Sequence, residues 1–203
     1  MGQECSICLN PLADVSLCTL ECTHVFHATC VTELRNFGVT QVCPLCRTPL
    51  PPGPKQLHED SCQRFSAVKQ KVEQGKVSWS DLPPESKGEY DAAMASWKAA
   101  AEQGFAMALH NLGYLFDHGL GVPPNGSEAA KWYKMAATQG HPESQVNLGA
   151  LAQKGHGIAQ SDAEAVRWWR KAAEQGQPNG QHSLGIAYAN GQGVGQSFQE
   201  AAR

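Results

Sequence analysis

The segments CSIC (5–8), CTHVFHATC (22–30) and CPLCR (43–47) decide how the first fifty residues fold. They place six cysteines and two histidines in the order C-x2-C, C-x-H-x2-H-x2-C and C-x2-C, separated by thirteen and twelve residues. Tetrahedral zinc takes four thiolate or imidazole ligands, and a C-x2-C turn lets two sulfurs reach one ion without strain. Eight ligands predict two closed zinc sites, with no open position for a substrate or an activated water. We therefore expect two structural zinc ions.

A disulfide framework is the alternative use of so many cysteines. Six of the eight cysteines in the chain fall into a ligand pattern together with two histidines, which argues against disulfides. Reduced cysteines that serve as ligands indicate a reducing compartment, the cytoplasm or the nucleus.

The order of ligand types resembles the RING finger family, in its subclass with two adjacent histidines. The resemblance covers about residues 1–50 and implies a small zinc-stabilised α+β domain whose ligand pairs interleave. Carried onto this chain, it assigns Cys5, Cys8, His27 and Cys30 to one zinc ion, and Cys22, His24, Cys43 and Cys46 to the second.

The same resemblance implies a partner, a ubiquitin-conjugating enzyme, bound in a shallow apolar groove. The matching positions are Ile7, Leu34, Pro44 and Leu45. Arg47 matches the cationic linchpin of many RING ligases, because a guanidinium fork can bond carbonyl groups of two partners at once. Leu34 stands where the family often has Trp, which loses aromatic contact area. Alternatively, Ile7, Leu34 and Pro44 simply pack the small core.

A second pattern is an internal repeat of 36 residues. Three signatures recur in phase, and alanine-rich segments with helical apolar spacing lie between them. The signatures are AAEQG (100–104), AATQG (136–140) and AAEQG (172–176); LGY (112–114), LGA (148–150) and LGI (184–186); and GLGV (119–122), GHGI (155–158) and GQGV (191–194). Each unit is predicted to be a helix, a Gly turn, a second helix and a Gly-x-Gly turn, so that the region forms an all-α solenoid of two-helix repeats.

Glycine recurs inside these helices, where it costs about 1 kcal/mol against alanine, so we expect the helices to approach closely there. The glycines are Gly113, Gly149 and Gly185. Large aromatic residues at equivalent positions are predicted to fill the gaps between layers. They are Trp97, Tyr133 and Trp169.

Residues 88–203 resemble Sel-one-like repeats, a class related to tetratricopeptide repeats, in their AA-x-QG, LG and G-x-G-V signatures. The resemblance implies a scaffold for protein binding, and hence a protein substrate bound by the repeats. Residues 199–203 align with the start of the helix that carries the Trp pair in other units. Because a solenoid normally ends in a polar capping element, we expect a C-terminally incomplete chain.

The interval 51–87 is predicted to link the two modules. Pro49, Pro51, Pro52 and Pro54 disfavour a continuous helix at its start. Residues 55–74 have few helix breakers and are predicted to form one helix that packs on the solenoid as a cap. Within it, Cys62 follows His58 by four residues. A cysteine beside a histidine could act as a nucleophile, but a reactive thiol needs a lowered pKa, which the sequence does not show. We therefore interpret Cys62 as an inert thiol.

Charge and hydropathy exclude other classes. The net charge of −3 and the lack of a basic stripe argue against nucleic acid as the main partner. No apolar run approaches membrane-spanning length. Two functions remain: a RING-type ubiquitin-protein ligase whose repeats recruit a substrate, and a non-catalytic adaptor in which both modules serve assembly.

Overall fold

The computed structural model describes residues 5, 7–8, 17–20, 22–36 and 42–202, with the backbone alone at Ala28 and Asn36. It divides into two compact units, Met1–Gly53 and Pro54–Arg203. The first unit contains strand β1 (Leu17–Thr19), strand β2 (Val25–His27) and helix α1 (Ala28–Asn36). The two strands pair antiparallel, with Cys18 opposite Phe26.

The apolar core of the first unit is small. Its buried side chains include Leu20, Phe26, Val31 and Leu50, and the cysteines Cys5, Cys30 and Cys43 are buried among them. A domain of about 50 residues cannot bury enough apolar surface to be stable without staples such as a structural metal. The predicted zinc-stabilised α+β unit is confirmed. Its buried cysteines lie in the interior, where bound metal would supply the stability that the small apolar core lacks.

The second unit consists of helices packed in chain order. They are α2 (Pro54–Glu73), α3 (Pro84–Glu102), α4 (Ala106–His118), α5 (Gly126–Thr138), α6 (Pro142–Lys154), α7 (Asp162–Glu174), α8 (Pro178–Asn190) and α9 (Phe198–Ala201). Each helix from α4 to α8 has 13 residues, and α4, α6 and α8 begin 36 residues apart. The predicted two-helix solenoid is confirmed.

Helix α2 packs on the first layer of the solenoid. Its Phe65 and Val68 are buried in one cluster with Tyr90, Met94 and Trp97 of α3. The structure contains the helix predicted over 55–74, and this helix begins and ends one residue earlier than predicted. The interval 51–87 divides at Gly53, after which the chain belongs to the second unit.

Local chemistry explains where the helices stop and start. Gly119, Gly155 and Gly191 end α4, α6 and α8 in the left-handed conformation, which costs glycine least. Ser161 caps α7 by accepting from the backbone N–H of Glu164 at 3.2 Å. The Glu164 carboxylate accepts from Arg167, so only the serine half of a capping box forms here.

The glycines inside the helices mark close contacts between layers, as predicted. A Cβ at Gly113 would lie 2.6 Å from Cδ1 of Tyr133, and one at Gly149 would lie 2.5 Å from Nε1 of Trp169. Both aromatic rings are buried, and so is Trp97. The aromatic positions of one helix therefore occupy the space left by glycine in the preceding helix.

Candidate metal centres and partner surface

The first cysteine–histidine cluster joins the start of the chain to the β2–α1 junction. It consists of Cys5, Cys8, His27 and Cys30, whose ligand atoms all lie within 4.8 Å of one another. Nδ1 of His27 lies 3.2 Å from Sγ of Cys8 and 3.8 Å from Sγ of Cys30. Strand β2 carries the histidine and the first turn of α1 carries Cys30, so the strand-to-helix junction supplies half of the cluster.

The second cluster joins the turn before β2 to the loop after α1. It consists of Cys22, His24, Cys43 and Cys46, again with ligand atoms within 4.8 Å of one another. Nδ1 of His24 lies 3.3 Å from Sγ of Cys22 and 3.7 Å from Sγ of Cys43. Because His24 and His27 belong to different clusters, the two sites interleave along the chain.

These distances fit tetrahedral zinc. With Zn–S near 2.3 Å and Zn–N near 2.0–2.1 Å, two ligands of one ion lie about 3.6 Å apart for nitrogen and sulfur. The four measured separations scatter around that value. Each cluster offers three thiols and one imidazole, a donor set typical of closed structural zinc sites. The unit therefore binds two structural zinc ions, and hydrolytic chemistry has no open coordination position there.

Two thiols of the first cluster have pKa values that are shifted in opposite directions. Burial, reinforced by the nearby thiols of Cys8 and Cys5, raises the pKa of Cys30 to about 11. Burial acts on Cys5 as well, but backbone hydrogen bonds around it, from His27 foremost, outweigh that effect and lower its pKa to about 6. A bound dication favours the thiolate at every ligand, because metal binding displaces the protons.

Two non-glycine residues with positive φ turn the backbone at the second cluster. Thr23 has φ 65° and Arg47 has φ 64°, a conformation that is costly for residues with a Cβ. Backbone hydrogen bonds hold the second turn: Arg47 N–H donates to the Cys43 carbonyl at 2.8 Å, and Cys43 N–H donates to Thr48 at 2.7 Å. Sequence reasoning did not identify Thr23, since threonine carries no signal for this conformation.

The predicted partner residues fall into two environments. Ile7 and Leu34 are half-buried and pack against the core of the first unit. Pro44, Leu45 and Arg47 are exposed, and Leu45 has 53% of its surface accessible. The apolar tip of the last zinc loop is therefore exposed, whereas Ile7 and Leu34 contribute to the core.

The Cys62–His58 pair has no mark of a nucleophile. Burial raises the pKa of the Cys62 thiol above its ordinary value, so the thiol stays protonated. Burial also lowers the pKa of His58, whose ring packs on Phe105 at 5.2 Å. The pair lies 3.4 Å apart (Nε2 to Sγ) and belongs to the packing of α2.

Family models match both units. The Ring finger domain model matches residues 3–47, and the Sel1 repeat model matches residues 106–141, 142–177 and 178–203. The chain thus combines a RING finger of the two-histidine type with a Sel1 repeat region. The helices described here include none that is both long and apolar enough to cross a membrane.

Curated relatives match the first unit. The RING-H2 finger protein ATL34 of Arabidopsis thaliana is 44% identical over 55 residues, 26% of this chain and 16% of the relative. The probable E3 ubiquitin-protein ligase XERICO of the same plant is 45% identical over 49 residues, 23% of this chain and 29% of the relative. Human tripartite motif-containing protein 26 is 48% identical over 46 residues, 22% of this chain and 8% of the relative. The chain spans less than a third of the length of each.

Solved structures match the second unit. The protective antigen c5321 of uropathogenic Escherichia coli, which displays an SLR fold, aligns with TM-score 0.56 and 33% identity over 74% of this chain and 32% of its own. A Sel1 repeat protein from Oxalobacter formigenes aligns with TM-score 0.53 and 29% identity over 71% of this chain and 66% of its own.

Proposed function

We propose that this protein is a RING-type ubiquitin-protein ligase. The observation that carries the proposal is the exposed apolar tip of the last zinc loop, Pro44 and Leu45, followed by Arg47 in a fixed turn. The metal ligands would be the two observed clusters, one around His27 and one around His24. The likeness to a relative named as a probable E3 ubiquitin-protein ligase supports the same activity.

The zinc ions supply no chemistry beyond holding the two loops, since both sites are closed. A ubiquitin-conjugating enzyme would seat its apolar contact residues on Leu45, with Ile7 and Leu34 extending the surface. The Arg47 guanidinium would donate hydrogen bonds to carbonyl groups of the conjugating enzyme and ubiquitin together, because its donors form a rigid fork. Catalysis would consist of positioning the thioester for attack, with no covalent intermediate on this chain.

The repeats would recruit the substrate. The first 54 residues contain no lysine, so the zinc-binding unit itself offers no lysine acceptor for ubiquitin. The acceptor must then come from the second unit, from ubiquitin or from a bound protein. A solenoid presents an extended surface suited to that last role. We propose that the activity takes place in the cytoplasm or the nucleus, since reduced thiol ligands are typical of a reducing compartment.

A chain-synthesis assay tests the proposal. The full-length, zinc-loaded protein is incubated with ubiquitin, ubiquitin-activating enzyme and a panel of conjugating enzymes. We expect at least one of them to form ubiquitin chains, and Cys43→Ala to lose the activity because it opens a zinc site. If the intact protein activates no conjugating enzyme of the panel, the non-catalytic adaptor function takes the place of the ligase.

A further inference from the structure

Thr48 directly follows Arg47 in the loop of the second metal cluster, and its side chain is half-buried. Its hydroxyl oxygen Oγ1 lies 3.1 Å from Sγ of Cys46, the residue on the other side of Arg47. A cysteine that binds zinc is a thiolate and only accepts hydrogen bonds, so with metal bound the Thr48 hydroxyl is the donor. The side chains before and after Arg47 are therefore joined to each other.

Backbone hydrogen bonds hold the same turn. The Arg47 N–H donates to the Cys43 carbonyl at 2.8 Å, and the Thr48 carbonyl accepts from the Cys43 N–H at 2.7 Å. One residue further on, Pro49 pairs with Val42 in an antiparallel bridge. Thr48 thus closes the loop with its carbonyl group and links to the last metal ligand with its hydroxyl group.

The turn needs this support because Arg47 has φ 64°. The left-handed region is unfavourable for a residue with a Cβ, since that atom comes too close to the following carbonyl oxygen. Such a residue keeps a positive φ only where the surrounding structure holds it there. A return of Arg47 to negative φ would rotate its Cα–Cβ bond and redirect the whole side chain.

The Arg47 side chain has no partner of its own among the residues that the structure describes. It is exposed, and its guanidinium makes neither a hydrogen bond nor an ion pair with them. The guanidinium of Arg35, by contrast, donates to the Pro51 carbonyl at 2.7 Å. The direction in which the Arg47 side chain leaves the loop is therefore set by its backbone turn.

We propose that Thr48 is a positioning residue for ubiquitin transfer, because its hydroxyl bond to Cys46 holds Arg47 at positive φ and so fixes where the guanidinium lies. This inference rests on the proposed ligase function and names a residue that acts through Arg47. A guanidinium that is held in place before the partners bind has less freedom to lose in the transfer step. Loss of the hydroxyl should therefore slow transfer more than it weakens binding of the conjugating enzyme.

Thr48→Val tests the hydroxyl, since valine keeps the branched shape and lacks the donor. The measurement is single-turnover discharge of ubiquitin from a charged conjugating enzyme to free lysine, at increasing concentrations of the full-length, zinc-loaded protein. We expect the maximal rate to fall roughly fivefold, with the half-saturating concentration unchanged. A wild-type maximal rate in Thr48→Val overturns the proposal.

Two further variants serve as controls. Thr48→Ser keeps the hydroxyl and should restore most of the maximal rate that Thr48→Val loses. Thr19→Val makes the same change at an exposed position of β1 and should leave the rate unchanged. An equal loss in Thr48→Ser and Thr48→Val would show that the hydroxyl is not the group that matters, which overturns the proposal.

A double-mutant cycle shows whether Thr48 acts through Arg47. In the Arg47→Ala background, Thr48→Val should cause no further loss of the maximal rate, because the guanidinium that it positions is gone. A further loss of the same size as in the wild-type background would mean that the two residues contribute independently, and it overturns the positioning role.

Two measurements without ubiquitin separate positioning from a loss of metal. Native mass spectrometry should find the same two zinc ions in Thr48→Val as in the wild type. In NMR spectra of the zinc-loaded protein, the nuclear Overhauser effect between the amide proton and Hα of Arg47 should be strong, because these protons are close at positive φ. It should weaken in Thr48→Val. A lost zinc ion, or an unchanged Overhauser effect, overturns the proposal.

The same measurements distinguish this inference from the ligase proposal. A weaker Overhauser effect in Thr48→Val, in a protein that activates no conjugating enzyme, would contradict the ligase function and the role in transfer, and would leave the turn assigned to Thr48. Discharge by the wild type, with an unchanged rate and Overhauser effect in Thr48→Val, would support the ligase and overturn the role of Thr48.

Discussion

Nδ1 of His110 on α4 lies 2.9 Å from Oγ of Ser144 on α6, across the interface of two consecutive repeats. The Ser144 hydroxyl also lies 3.1 Å from Nδ1 of His141. That nitrogen accepts from the backbone N–H of Ser144 at 3.3 Å and caps α6, so it carries no proton. The consistent arrangement is that His110 donates to Ser144, which donates to His141, with both imidazoles neutral.

This network predicts a stability that falls in acid. Burial, with the nearby His141 as a second cause and Glu143 acting in the opposite direction, lowers the pKa of His110 to about 4. The Tyr133 ring lies 5.6 Å from the His110 ring, centroid to centroid, and helps to keep the imidazole half-buried. Unfolded histidine titrates near pH 6.5, so between about pH 6.5 and 4 the unfolded chain binds a proton that the folded chain does not. The contribution of His110 is fully present above that window and falls by roughly 2 kcal/mol by pH 5.

Urea unfolding followed by helical circular dichroism at pH 7.5 and pH 5 measures this effect. His110→Asn should reduce the pH-dependent loss of unfolding free energy by roughly 2 kcal/mol, because it removes the histidine that resists protonation. His182→Asn changes the exposed histidine at the equivalent position of α8 and should leave the loss unchanged. An unaltered pH dependence in His110→Asn would contradict the neutral network.

Metal content is expected to follow the two clusters. Native mass spectrometry of the reduced protein should find two zinc ions, and Cys43→Ala should remove one of them because Cys43 belongs to the second cluster. Cys62→Ala removes a cysteine outside both clusters and should retain both ions. A chelator should leave the helical signal of the second unit intact, since the ligands lie in the first. A metal lost from Cys62→Ala would show that the ligand set is wrong.

The exposed loop tip is expected to control transfer without affecting metal. Arg47→Ala should slow discharge of ubiquitin to free lysine about 10-fold or more, the effect of losing charge-assisted hydrogen bonds. Arg47→Lys keeps the charge but loses the fork and should be intermediate. Leu45→Ala should weaken binding of the conjugating enzyme with two zinc ions retained. Ile7→Ala should also abolish transfer, with some loss of stability since Ile7 is half-buried. Full activity in the Arg47, Leu45 and Ile7 variants would show that this surface does not bind the conjugating enzyme.

Two glycine-to-alanine changes are expected to shift the stability of the second unit in opposite directions. Gly149→Ala places a Cβ 2.5 Å from Nε1 of Trp169 and 3.1 Å from the Ala165 carbonyl, so it should destabilise by about 1–3 kcal/mol. Gly88→Ala in α3 meets nothing within 4 Å and should stabilise by up to about 1 kcal/mol through helix propensity. Thermal unfolding of both variants measures the difference, and a neutral Gly149→Ala would contradict the close packing of α6 on α7.

Most of the metal ligands could be predicted from the sequence because neighbouring ligands lie at short, fixed spacings along the chain. The turns C-x2-C and C-x-H-x2-H-x2-C place neighbouring ligands without help from the rest of the chain, although the pairing of Cys5 with His27 came from a family resemblance. The burial of the predicted partner residues could not be predicted from the sequence. Ile7 and Leu45 have similar side chains, yet one packs on the core and the other is exposed.

The sequence by itself determined the ligand pattern, the 36-residue repeat and the glycine and aromatic positions that fit consecutive layers together, because each recurs at a fixed spacing along the chain. Only the tertiary structure decided what lies between layers. His110 and Ser144 are 34 residues apart and carry no shared spacing, and they meet because α4 and α6 pack in successive repeats.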